Sequence, residues 1–140
     1  MRRDTTIEDF DDVFKVYMDG TVNPFVNFEP MSKKEFHSIF NDMIANGGFQ
    51  VYELEGEVIA AFVISRFEHR LKHLAYIGAF GIKQQYQGRG HGKKMMEELI
   101  RDLRVDGVRR IELRVEEDNE RAIGFYKSLG LKWKVIIENI

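Results

Sequence analysis

The sequence predicts a mixed α/β fold in one domain, residues 1–140, and three observations carry that prediction. The first is size and balance: 140 residues, 44% apolar and 31% charged, suit one soluble globular core. The second is the order of apolar periods, which reads (β)ααβββαβαβ along the chain. The third is a glycine-rich segment, QGRGHG at 87–92, set between a strand pattern and a helix pattern. Neither an internal repeat nor a linker interrupts this order.

Taken in turn, "TIED" opens the first helix, with Thr6 and Asp9 placed as a capping box. Ile7, Phe10, Val13, Phe14 and Tyr17 follow at helical spacing. Both prolines of the chain fall in "DGTVNPFVNFEP" (19–30), a loop. "SKKE" repeats the capping box at Ser32 and Glu35. Phe36, Ile39, Phe40, Met43 and Ile44 form the buried stripe of that helix, and Gly47-Gly48 ends it. "FQVYEL" and "EVIAAFVISRF" read as a hairpin around Glu55-Gly56. The second strand is apolar on both faces, as a central strand is. A polar loop, "EHRLKH", leads to a third strand near Leu74–Lys83. After the glycines a helix runs to about Arg104, with Met95, Met96, Leu99, Ile100 and Leu103 inward. Asp106-Gly107 breaks it. "RRIELRVE" is a strand with Ile111, Leu113 and Val115 on one face and Glu112, Arg114 and Glu116 on the other. Asn119 begins the last helix, Gly130 ends it, and "LKWKVII" is the final strand.

Composition removes several kinds of function. A net charge of −2 and a pI near 6.1 argue against a nucleic-acid partner. The absence of cysteine excludes disulfides, zinc thiolate sites and thiol nucleophiles. No apolar run reaches the length of a membrane span. The charged start, "MRRDTTIEDFDD", lacks an apolar signal region, so a cytoplasmic location is expected. His69 and His73 stand four apart in a loop with no third ligand near them, so no metal site is expected.

Chemistry is expected where the strand, the glycines and the helix meet. A helix start carries unpaired N–H groups and a partial positive charge, and glycines let an anion approach the backbone. A P-loop would need Gly at 87 and Ser or Thr at 94, where Gln and Lys stand. A dinucleotide fingerprint starting at Gly88 needs a third glycine at 93, which is Lys. Starting at Gly90, it needs one at 95, which is Met. The pattern Q/R-x-x-G-x-G/A is met in full by Gln87, Gly90 and Gly92.

With that motif the chain resembles the GCN5-related N-acetyltransferase (GNAT) family. A strand ending in Phe80-Gly81-Ile82 lies five residues before Gln87, and the aromatic Tyr86 precedes the motif. Downstream, "NERAIGFYKSLGL" fits the family's N-x-x-A-x-x-[LF]-Y-x-x-x-G-[FL] segment through Asn119, Ala122, Phe125, Tyr126, Gly130 and Leu131. The resemblance covers nearly the whole chain. It implies a mostly antiparallel central sheet with one splayed parallel strand pair, 74–83 and 109–116, and helices on both faces.

The resemblance also implies a site. Acetyl-CoA would lie in the gap between the splayed strands. Main-chain groups of Phe80, Gly81 and Ile82 would hold the pantetheine arm. N–H groups of Gln87, Gly88, Arg89, Gly90, His91 and Gly92 would hold the pyrophosphate, with His91, Lys93 and Lys94 in reach of the anion. Asn119 would face the pantetheine, and Tyr126 would protonate the leaving thiolate. A neutral amine would attack the thioester directly, with a backbone N–H near Ile82 meeting the charge on the carbonyl oxygen. For the base, Glu112 and Glu116 stand on the polar face of their strand, and Glu29 stands in a loop that walls the acceptor site in the family. Two departures are visible. Arg114 stands where relatives that modify protein N-termini carry Glu. The family's usual strand after the one at 131–137 is also missing: it is absent, this chain is short of it, or a neighbouring chain completes the sheet. A homodimer through that open edge is the corresponding expectation. Two function classes follow: an amine N-acetyltransferase, and a non-catalytic acyl-CoA sensor on the same fold.

Overall fold

The computed structural model describes residues 1–20, 28–116, 119–129 and 134–138, with 114–116 and 134–138 described by their backbone. Among the described residues six strands form one sheet in the order β1 (Arg2–Asp4), β2 (Phe49–Leu54), β3 (Glu57–Arg66), β4 (Leu74–Ile82), β5 (Arg110–Glu116) and β6 (Lys134–Glu138). The first four run antiparallel, and β4–β5 and β5–β6 are parallel. The expected splayed pair is therefore joined by a second parallel ladder. A helix crossover links its strands, as parallel neighbours require.

Helices α1 (Phe10–Tyr17) and α2 (Lys33–Asn46) share one apolar cluster with β2 and β3. Helices α3 (His91–Val105) and α4 (Glu120–Ser128) share another with β4 and β5. The five residues expected inward on α3 are all buried. β3 is buried along most of its length, as its two apolar faces require. At Ser32 the capping box closes in both directions, the Glu35 N–H donating to Ser32 Oγ and the Ser32 N–H to Glu35.

The first helix departs from expectation. Residues Ile7–Asp9 form a 3-10 turn and α1 starts at Phe10. The expected capping box of Thr6 and Asp9 is present, the Thr6 N–H donating to the Asp9 carboxylate at 2.8 Å, but it closes around this 3-10 turn rather than at the start of α1. Ile7, placed inward by its spacing, is 70% exposed, and Val16 joins Val13 and Tyr17 in the core instead. The cause is Asp9. Its carboxylate is buried and accepts two bonds from the Arg3 guanidinium, each 2.8 Å, which ties this turn to β1 and changes the helical phase.

Burial would raise the Asp9 pKa, but the bonds from Arg3 and Thr6 outweigh it and hold the carboxyl below its ordinary 3.8. A depressed folded-state pKa stabilises the fold above the unfolded value, and that stabilisation is lost as pH falls through the folded value. Asp9→Asn is thus expected to cost about 1–3 kcal/mol at pH 7. In urea titrations the gap between variant and wild type should close below pH 3.8.

Candidate active site

Strands β4 and β5 part company midway. Among the described residues their ladder runs from Leu74 opposite Arg110 to Ile77 opposite Leu113 and goes no further, while β5 continues beside β6. From Gly78 to Ile82 the edge of β4 that faced β5 is turned to a gap. Backbone groups on such an edge need a partner, and an extended ligand supplies one in the manner of an added strand.

A β-bulge sits on that stretch. Ala61 pairs with Gly81 and Val63 with Gly78, so Phe62 alone faces both Ala79 and Phe80. Ala79 takes φ = 50°, a left-handed conformation that costs an L-residue roughly 1–2 kcal/mol. The Tyr17 hydroxyl donates to its carbonyl at 2.7 Å, a bond worth about 1 kcal/mol net. Strain and bond are of similar size. The bulge also reverses the alternation of β4. Ala75 and Ile77 pack on the α3 side, Ala79 packs with α1 and α2, and Phe80 and Ile82 return to the α3 side.

Beyond β4 the chain is held closely. The Lys83 N–H donates to Ile59, and the 3-10 turn Gln84–Tyr86 leads into the glycines. The Gln87 N–H is taken by Gln84, so it is not offered to a ligand as expected. The Gln87 side chain instead donates to the Ile82 carbonyl at 2.9 Å, closing the loop on the strand end. Gly90 caps α3 at φ = 83°. A glycine cap brings no side-chain oxygen, so the N–H groups of His91, Gly92 and Lys93 keep the open character of a helix start. No acidic residue stands in the first turn of α3, and Lys93 and Lys94 are exposed there. Gly92 is buried against the Ile82 and Phe125 side chains, where a Cβ would come within 2.9 Å of Ile82 Cδ1 and 3.4 Å of the Phe125 ring.

Two residues the sequence did not flag stand here. Arg121, on α4, reaches the Gln87 side-chain oxygen at 3.4 Å, adding a cation at the rim. Lys83 is buried, with its ammonium 2.7 Å from Asp12 of α1 and 3.3 Å from Glu57 of β3, and Tyr86 donates to the same Glu57 at 3.0 Å. This network clamps the exit of β4 to both of its neighbours. A lysine at a strand end gives no sequence signal for it, because both carboxylates come from distant segments. Lys83→Met is expected to destabilise by about 1–3 kcal/mol in urea unfolding. That is less than for a fully buried pair, because the two carboxylates are partly exposed and can rehydrate.

Tyr126 is buried between α4 and the sheet, its ring edge-on to Phe125 at 5.2 Å. Burial pushes its phenol up, so it stays protonated across the neutral range. Asn119 caps α4, its side-chain oxygen accepting from the Ala122 N–H at 3.2 Å. Glu112 lies opposite Tyr76, one residue short of the end of the ladder, and pairs with Arg110 at 2.8 Å. Glu29 is exposed. The Glu116 side chain, residues 21–27 of the acceptor loop, and the 130–131 end of the second motif lie outside the described residues. His69 is exposed beside Glu68, and among the described residues no three possible ligands gather for a metal. Among them, too, no helix is long and apolar enough to cross a membrane.

The strand gap, bulge and glycine-capped helix define an acyltransferase type of fold, and comparison places it: the chain belongs to the acetyltransferase (GNAT) family, whose profile matches residues 10–131. An uncharacterized N-acetyltransferase of Methanocaldococcus jannaschii is 28% identical over 143 residues, covering 97% of this chain. The chain spans 62% of that relative's length. Similar solved structures include a ribosomal-protein-alanine N-acetyltransferase from Brucella melitensis, at 22% identity and TM-score 0.68, covering 93% of this chain and 83% of that one. A transcriptional regulator from Bacillus halodurans gives 16% identity and TM-score 0.76, covering 94% and 92%. At such identities the likeness is one of fold.

Proposed function

We propose that the chain transfers the acetyl group of acetyl-CoA to the amine of a small molecule, amino acid or peptide. The observation that carries this reading is the meeting of two open backbone features at one end of β4. One is the unpaired edge from Gly78 to Ile82, which suits an extended pantetheine arm. The other is the glycine-capped, acid-free start of α3, which suits a pyrophosphate. Arg121, Lys93 and Lys94 add positive charge around it.

Acetyl-CoA supplies the activated acetyl group, and the residues of the chain do the rest. The Phe80–Ile82 backbone holds the arm and offers an N–H where negative charge develops on the carbonyl oxygen, an interaction worth roughly 3–4 kcal/mol. Tyr126 gives its proton to the departing sulfur. A carboxylate takes the proton of the incoming ammonium, directly or through water. Of the three candidates, Glu112 is favoured by its place beside the mouth of the gap, with Glu116 and Glu29 behind it. The amine attacks directly, without a side chain carrying the acetyl group. The proposal includes a cytoplasmic location, no metal, and neither membrane nor nucleic acid as partner. It also includes a homodimer through the β6 end of the sheet, which a monomer by light scattering would refute.

Release of free thiol from acetyl-CoA across a panel of amines tests the reading. Amine-dependent release supports it. Tight CoA binding with no release for any amine favours the acyl-CoA sensor.

A further inference from the structure

We propose that Tyr17 is a positioning residue for acetyl transfer, its hydroxyl locking the Ala79–Phe80 peptide so that the Phe80 N–H faces the thioester carbonyl. The inference rests on the acetyl-transfer reading above. It starts from one planar unit. In a trans peptide the carbonyl of one residue and the N–H of the next point in opposite directions. Tyr17 fixes the Ala79 carbonyl at 2.7 Å, and this also fixes the direction of the Phe80 N–H, away from α1. Phe80 shares Phe62 with Ala79 across the bulge and lies where β5 has left β4.

The lock is rigid at both ends. Tyr17 is fully buried, its ring packed against those of Phe28, Phe36 and Phe49. Ala79 holds a left-handed conformation that alanine leaves readily when released, because its Cβ opposes it. Glycine takes the same conformation without that opposition. Tyr17 is therefore needed because residue 79 is alanine, and this dependence separates positioning from packing.

Tyr17→Phe keeps the ring and removes the lock. Thiol release from acetyl-CoA is expected to fall on the order of 10-fold, less than for outright loss of a donor, with KM for acetyl-CoA little changed. In the Tyr17→Phe/Ala79→Gly double variant, most of the rate should return. Infrared spectroscopy of acetyl-CoA isotope-labelled at the thioester carbonyl reads the hydrogen bond itself. The carbonyl band should sit below its free frequency in the wild type, move back toward it in Tyr17→Phe, and shift down again in the double variant. Ala79→Gly alone should keep the wild-type band, and it remains informative if Tyr17→Phe fails to fold: a band returned to the free frequency in this variant overturns the inference. An unchanged band in Tyr17→Phe, or a double variant as slow as the single, overturns the inference and leaves acetyl transfer standing. Failure of the wild type to bind acetyl-CoA at all removes both.

Discussion

Tyr126→Phe is expected to lower the rate of acetyl transfer about 10²-fold, the low end for loss of a general acid, with KM for acetyl-CoA nearly unchanged. The magnitude follows from burial. A phenol pushed above its ordinary 10.0 is a weaker acid than a thiol near 8.5, so it transfers its proton only as charge builds on the sulfur. Two further results follow from the same shift. The rate should rise with pH as the acceptor ammonium loses its proton, with no downturn from Tyr126 up to pH 10. Because the folded-state pKa is raised, the stability it contributes is fully present below pH 10 and is lost only as pH rises beyond it. The ring stays in the core in the variant, so thermal unfolding should shift little. An unchanged rate would make Tyr126 a packing aromatic and nothing more.

Gly92→Val is expected to raise the CoA dissociation constant by about 10- to 100-fold. At this position a Cβ already meets Ile82 Cδ1 at 2.9 Å, and the Phe125 ring stands behind it. Overpacking costs roughly 1–3 kcal/mol, and 1.4 kcal/mol is tenfold in affinity. The end of the Ile82 side chain can give way to a Cβ alone, but the two further methyls of valine must also displace the Phe125 ring, and the strain falls at the helix start itself. Gly92→Ala is the milder case: a helical Ala gains up to about 1 kcal/mol over Gly, which offsets much of the contact. Isothermal titration with CoA should therefore rank wild type, Ala and Val in that order. Equal affinities would mean that the helix start does not hold the ligand.

The helices and strands were legible because their apolar periods are strong. Met95, Met96, Leu99, Ile100 and Leu103 specify a helix face by spacing alone, and Glu55-Gly56 specifies the hairpin. The glycine motif was legible because its spacing failed two familiar phosphate-binding patterns and met a third. What escaped depends on contacts between distant segments. Asp9 is buried by Arg3 from β1, so the first turn leaves the helical phase that Ile7 suggested. The bulge at Ala79 carries no glycine to mark it, and Tyr17 reads as one more core aromatic until its hydroxyl is placed. Lys83 is unremarkable until Asp12 and Glu57 converge on it. The proton acceptor is the least specified role, because Glu112, Glu116 and Glu29 look alike in the sequence; Glu112 stands one residue short of the end of the ladder, and the Glu116 side chain lies outside the described residues.

The most direct measurement of the central claim is a thermal-shift titration with acetyl-CoA, CoA, NAD and ATP in parallel. A ligand at 100 times its dissociation constant stabilises a protein by about 2.7 kcal/mol, several degrees for a domain of this size. Stabilisation by both CoA species, with NAD and ATP inert, is the predicted result, and its loss in Gly92→Val would tie the CoA pyrophosphate to the backbone at the start of α3. No shift with either CoA species, or a shift with NAD instead, would contradict the claim that this chain binds acetyl-CoA.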